Sequence, residues 1–385
     1  MAASDEPPRP DQIEGAPHPS QTAVLFGQSA PEADFLDAFS SGRFHSGWLI
    51  TGPQGVGKAT LAWRMAAFLL SQPLVAADDM FGAPPPPQSL DVSEDHPDIR
   101  LLRAGAHPRL FVLRRIMNKT ETALQDQITV AALRRSHADK APNKLLDFLH
   151  QSAADGGRRV VIIDTADDMN PTVSNSILKV LEEPPKNTYF LLVSHQPSRL
   201  LPTIRSRCRV LRCGYLGAND VTAALQQADI HSDAGDALTA LSGGSVGEAI
   251  RLTNHDGLTL YEDLISLMSG LPKFDRPRAI RMADNCVGKN GATRFALTLD
   301  LIDKFLTRLA RAGLQGPPAV QAAQGEALLL SKLAPNDVAA RRWAALAQDV
   351  SERTRHGKAV NLDPAALILD TLFKIEQVAS DVTAN

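Results

Sequence analysis

Cysteine is scarce in this chain: Cys208, Cys213 and Cys286 are the only three among 385 residues. Their spacing makes neither a CxxC pair nor a disulfide framework, which excludes stapled secreted scaffolds and fits a reducing cytoplasm. Long apolar runs are missing too. None approaches the roughly 18 residues that a membrane-spanning helix needs, so no membrane partner is expected. Neither sign of charge dominates: 40 basic against 43 acidic residues leave a net charge of -3. That balance argues against a protein held to DNA by bulk charge, and any nucleic-acid contact is expected to be local. Aromatic residues make up only 5% and form no basic-aromatic platform for single strands. The ten histidines include no HExxH or similar ligand pair, so no metal site is expected. The opening MAASDEPPRPDQIEGAPHPS lacks the basic start and apolar stretch of a secretion signal and reads as a disordered segment over residues 1–18.

What is present suits a multidomain globular protein. Apolar residues at 44% are ample for packed cores, and the length suggests two or three domains. Over residues 19–214, β-rich runs alternate with helical patterns, the signature of a parallel α/β sheet. Strands are predicted at Trp48–Thr51, Leu110–Leu113, Val160–Asp164, Tyr189–Ser194 and Arg209–Leu211. Leu61, Met65, Phe68 and Leu69 recur at helical spacing after Lys58. Asn170-Pro171 is an N-cap followed by a first-turn proline, opening a helix that stops before Pro184-Pro185. The proline run Ala83–Pro87 cannot continue a helix, so about 76–97 reads as an exposed insertion. Residues 215–254 read as a small helical lid around Gly243-Gly244, and 255–385 as an all-α bundle. In that bundle Phe295, Leu299, Ile302, Phe305 and Leu309 mark one long helix, and Asp363-Pro364 opens the last.

The strongest chemical signal is Gly52-Pro53-Gln54-Gly55-Val56-Gly57-Lys58, directly after a strand and opening a helix. Backbone N–H groups of such a loop, the helix N-terminus and the lysine together cradle phosphates. The pattern then wants Ser or Thr to ligand Mg²⁺, and here Ala59 stands. Thr60 follows, but one residue along a helix turns a side chain by roughly 100°. ATP is therefore the expected cofactor, with Mg²⁺ weakly anchored. Asp164 ends a buried strand, where the second Mg²⁺ contact arises in phosphate-loop ATPases, but Thr165 follows it instead of a water-polarising Glu. Asp167 and Asp168 lie in the loop beyond, with nothing in the spacing to bring either back to the attacking water. This is a pocket built to hold nucleotide better than to hydrolyse it.

Ile204-Arg205-Ser206-Arg207-Cys208-Arg209 is the third signal. Alternate arginines alone are most often a solvated edge. With Leu181-Glu182-Glu183-Pro184-Pro185 and Phe190–Ser194 before it, the run resembles that of bacterial and eukaryotic AAA+ clamp loaders, and the resemblance extends from His18-Pro19-Ser20 and Phe26-Gly27-Gln28 to Gly244-Ser245. It implies an α/β P-loop AAA+ domain with a parallel sheet, a small helical lid and a C-terminal helical collar. It implies that Arg207 is an arginine finger reaching a neighbour's γ-phosphate. Partners implied are ATPase subunits of gamma/tau type, a delta subunit, a sliding clamp and, through the complex, primed DNA. Motor members of the family carry Ser or Thr after the loop lysine, Asp-Glu at the second site, and an arginine two residues after the lid Gly-Ser. This chain has Ala59, Thr165 and Gly247 at those places. Family members often bear a four-cysteine zinc module after the loop helix, but Leu70–Arg109 holds only His96 and His107, so zinc is not expected. The pattern is that of a non-motor subunit. The alternatives are an active gamma/tau-type ATPase and an unrelated P-loop nucleotide kinase.

Overall fold

The computed structural model describes residues 12–42, 44–73, 86–118, 120, 123–134, 145–150, 157–230, 234–288, 291–360 and 362–383. Residues 1–11 of the expected lead-in and 83–85 of the proline run lie outside them. The chain forms two units, Met1–Ile230 with Gly244–Glu248, and His231–Gly243 with Ala249–Asn385.

The first unit is built on five parallel strands, β1 (Gly47–Thr51), β2 (Leu110–Arg114), β3 (Arg159–Asp164), β4 (Thr188–Ser194) and β5 (Arg209–Arg212), in the order β2-β3-β4-β1-β5. Each predicted strand is present, extended by one residue. β1 and β3 are buried along their whole length, as strands covered on both faces should be. Around them run α1 (Ser29–Ser40), α2 (Lys58–Ser71), α3 (Pro97–Arg103), α4 (Leu145–His150), α5 (Pro171–Glu182), α6 (Pro202–Arg205) and α7 (Ala218–Gln227). This is a five-stranded parallel α/β core. Phe111, Leu113, Val161, Ile163, Ile177 and Phe190 form the centre of one apolar layer.

Local chemistry sets the helix ends. Asn170 accepts from the Val173 N–H at 2.9 Å, Pro171 takes the first turn, and α5 ends two residues before Pro184. His96 caps α3 by accepting from the Asp98 N–H at 3.3 Å. Of the expected exposed insertion at about 76–97, residues 76–85 lie outside the described residues, and the remainder is in part packed. Leu90 is buried, and Arg64 on α2 holds Asp91 at 2.8 Å and Glu32 at 2.9 Å. Residues just before the sheet also join the fold: His18 is buried and packs edge-on against Trp63.

The second unit is helical: α8 (Gly235–Ser242), then α9 (Val246–Asn254), whose residues fall in both units, then α10 (Gly257–Met268), α11 (Arg276–Asp284), α12 (Gly291–Gln315), α13 (Glu326–Leu333), α14 (Asp337–Ala359) and α15 (Pro364–Thr383). The predicted stripe Phe295, Leu299, Ile302, Phe305 and Leu309 is buried along α12. Inside sits a charge. Glu326 is wholly buried and accepts from Arg308 Nε at 2.6 Å, Arg308 Nη2 at 3.0 Å, the Tyr261 hydroxyl at 2.7 Å and the Ala322 N–H at 2.7 Å. Burial, with Glu326 alongside, pushes the Tyr261 phenol well above its ordinary pKa. Among the described residues no helix is long and apolar enough to cross a membrane.

Candidate functional site

The phosphate loop leaves β1 at Gly52 and enters α2 at Lys58. Gly52, Gly55 and Gly57 all take positive φ, which bends the chain as a phosphate cradle requires. Gly55 also has no room: an added Cβ would lie 2.4 Å from the Ser245 hydroxyl oxygen and 3.0 Å from the Gly247 Cα. The segment Gly244–Glu248 packs directly on the loop. Ser245 Oγ donates to the Gln54 carbonyl at 2.9 Å, and the Gly247 N–H donates to the Gly55 carbonyl at 2.9 Å. At Gly247 the reverse holds, because a Cβ there would meet the Gly55 Cα at 2.9 Å. The position where motor members carry an arginine is therefore occupied here by close-packed backbone.

Lys58 is buried and its ammonium donates to the Pro53 carbonyl inside the same loop. Burial lowers its pKa from 10.5 to about 8, opposed by Cys213, Asp164 and Asp167 nearby. Burial likewise pushes the Cys213 thiol up to about 11. Ala59 and Thr60 form the first turn of α2, and Asp164 is buried at the end of β3, close enough to bear on Lys58. The candidate nucleotide residues thus come together: Gly52, Pro53, Gln54, Gly55, Val56, Gly57, Lys58, Ala59, Thr60 and Asp164 surround the C-terminal ends of β1 and β3.

Two residues, Asp167 and Gln28, have partners that the sequence does not foretell. Asp167 returns to the sheet through a short 3-10 turn at Ala166–Asp168 and caps the end of β4. Its carboxylate accepts from Ser194 Oγ at 2.7 Å, from the His195 N–H, and from the Gln196 N–H at 3.1 Å. The turn delivers Asp167 to the neighbouring strand, near Lys58. His195 beside it is held down to about 4 by burial first and then by Lys58 and Arg115, so its imidazole is neutral at physiological pH. Asp168 pairs with Arg115 at 3.3 Å, and burial raises its carboxyl pKa. Gln28, buried, donates to the Val56 carbonyl at 3.1 Å and the Gly214 carbonyl at 2.9 Å, and accepts from the Gly214 N–H at 3.2 Å. It ties the phosphate loop to the chain leaving β5. Nothing in the triplet Phe26-Gly27-Gln28 foretells partners 186 residues away.

Arg207 lies in the turn between α6 and β5. Its Nη2 pairs with Glu182 at 2.7 Å, the side chains being 36% and 43% exposed, and its Nη1 donates to the Thr203 carbonyl at 3.0 Å. Cys208 is buried, which pushes its thiol up to about 12 and fixes the turn in the core. The turn sits at the start of the sheet, since a Cβ on Gly47 would lie 3.1 Å from the Arg207 carbonyl oxygen. The phosphate loop is at the other end, where a Cβ on Gly52 would lie 2.3 Å from the Cys213 carbonyl oxygen. Strand β1 separates the two edges by five residues, roughly 16 Å of extended chain. That is farther than one arginine side chain reaches.

Residues 27–215 match the family model described as DNA polymerase III, delta subunit. The DNA polymerase III subunit delta' of Pseudomonas aeruginosa is 38% identical over 229 residues, covering 59% of this chain and 60% of that protein. The Escherichia coli subunit delta' is 29% identical over 236 residues, covering 60% and 61%. The chain thus spans about 60% of the length of these curated relatives. A gamma subunit-related protein of DNA polymerase III from Thermotoga maritima, a solved structure, is similar at 14% identity and a TM-score of 0.37, covering 90% of this chain and 100% of that one. Residues 27–215 thus match the DNA polymerase III delta-subunit family, and the relatives that share this region are subunits delta' of DNA polymerase III.

Proposed function

We propose that the chain works as a delta-prime-type subunit of a DNA polymerase III clamp loader, lending Arg207 to the ATP of an adjoining subunit while its own phosphate loop turns over little or no ATP. In that role it joins gamma/tau-type and delta subunits and helps load a sliding clamp onto primed DNA during replication. The observation that carries this reading is the placement of Arg207 and Lys58 at opposite edges of one sheet. A cation that cannot reach its own chain's phosphates, and that stands half-exposed, suits a phosphate on another chain. A guanidinium offers a planar fork of permanent charge for that purpose.

The quiet pocket rests on separate grounds. Ala59 offers no hydroxyl to Mg²⁺, Thr165 cannot polarise water, Lys58 is engaged by Pro53, and Ser245 and Gly247 cover the loop carbonyls. The test is reconstitution with the gamma/tau and delta subunits of the same organism. Arg207→Ala should slow clamp-stimulated ATP turnover at the site it faces by about 10³-fold, the scale of fingers supplied in trans. Turnover and loading at the parental rate would end the finger assignment. Purified alone, the chain should show no steady ATP turnover that Lys58→Ala abolishes; such a rate would favour the motor reading instead.

A further inference from the structure

Resting on the arginine-finger reading, we infer that Glu182 is a positioning residue for Arg207, orienting the guanidinium before any neighbouring phosphate arrives. The two residues come from different elements, the last turn of α5 and the turn before β5, and are brought together by the packing beneath them. Leu181, Ile204 and Cys208 all belong to one buried apolar cluster, so both segments are anchored from below. Gly47 makes their close approach feasible. A Cβ at that position would lie 3.1 Å from the Arg207 carbonyl oxygen, 3.1 Å from the Cys208 sulfur and 3.2 Å from a Leu181 methyl.

Two anchors then set the plane of the fork. Glu182 Oε1 forms an ion pair with Nη2 at 2.7 Å, and the Thr203 carbonyl accepts from Nη1 at 3.0 Å. A guanidinium has five N–H donors, so the rest of the fork is left for an incoming oxygen anion. Fixing a long side chain in advance removes an ordering cost that the phosphate contact would otherwise bear. The pair is also half-exposed, where ion pairs are weak, so Glu182 aligns the fork without outcompeting a phosphate.

The experiment compares parent, Glu182→Ala, Glu182→Gln, Arg207→Ala and the Glu182→Ala/Arg207→Ala double variant in the reconstituted clamp loader, after size-exclusion chromatography shows that each assembles. Glu182→Ala should lower kcat for clamp-stimulated ATP turnover by about two- to tenfold, the rate equivalent of ordering one long side chain, with KM for ATP little changed. Glu182→Gln should fall between the parent and Glu182→Ala, because its amide oxygen keeps the place beside Nη2 but lacks the charge. The double variant should be no slower than Arg207→Ala alone. Parental or faster turnover by Glu182→Ala, or losses that multiply in the double variant, would overturn the role. Arg207→Ala at the parental rate would instead sink the finger reading beneath it.

Discussion

Each unit of this molecule contains an arginine paired with a glutamate, and the two pairs differ in almost everything but their chemistry. Arg308 and Glu326 lie inside the helical unit, with Glu326 wholly buried and four hydrogen bonds closing on its carboxylate. Arg207 and Glu182 lie at the rim of the α/β unit, each with about two fifths of its side chain in solvent. A buried pair that has lost its water must keep its partner, because a lone charge there is intolerable. A rim pair has water as an alternative and can exchange one anion for another at small cost. The same two side chains thus make a fixed joint in one place and a replaceable contact in the other.

That contrast can be broken by measuring stability. Glu326→Ala should cost the most, about 3–5 kcal/mol, since it strands the Arg308 guanidinium in the interior. Chemical denaturation would show it, and adding Arg308→Met should recover much of the loss. A cost below about 1 kcal/mol would mean that Arg308 simply swings into water. Lys58 gives the intermediate case, with opposite sign. Its folded pKa of about 8 lies below the ordinary 10.5, so below pH 8 the buried ammonium costs stability. Between those two values the unfolded chain holds a proton that the folded protein has released, and stability from this group rises with pH. Lys58→Met should therefore stabilise the α/β unit at pH 7, by on the order of 1–3 kcal/mol, and the gain should fade towards pH 10. A variant no more stable than the parent at pH 7 would show that the Pro53 contact outweighs burial. Smallest should be Glu182→Ala, within about 1 kcal/mol of the parent. If it rivals Glu326→Ala, the rim pair is a structural element after all.

Much of the frame was legible in the residues. Val160–Ile163 and Phe190–Val193 are continuous apolar runs, which only a doubly covered parallel strand uses at that length, and Asn170-Pro171 fixes a helix start by local chemistry alone. The phosphate loop was equally readable because its function needs consecutive backbone groups. What stayed hidden depends on long-range pairing. Gln28 finds Gly214 and Asp167 finds Ser194 only after the strands take their order, and Glu182 meets Arg207 only once Gly47 lets two turns close up. Glu326 carries no local signal of its burial, since its side-chain partners lie 18 and 65 residues away. The separation of Lys58 from Arg207 likewise follows from which strand end each adjoins.

The contact between Gly247 and Gly55 constrains what can stand there. An arginine at 247 would drive its first side-chain carbon into the backbone of the phosphate loop, so this single change is sterically barred unless that loop retreats at the same time. A sensor arginine at this place would need concerted change at two sites distant in sequence.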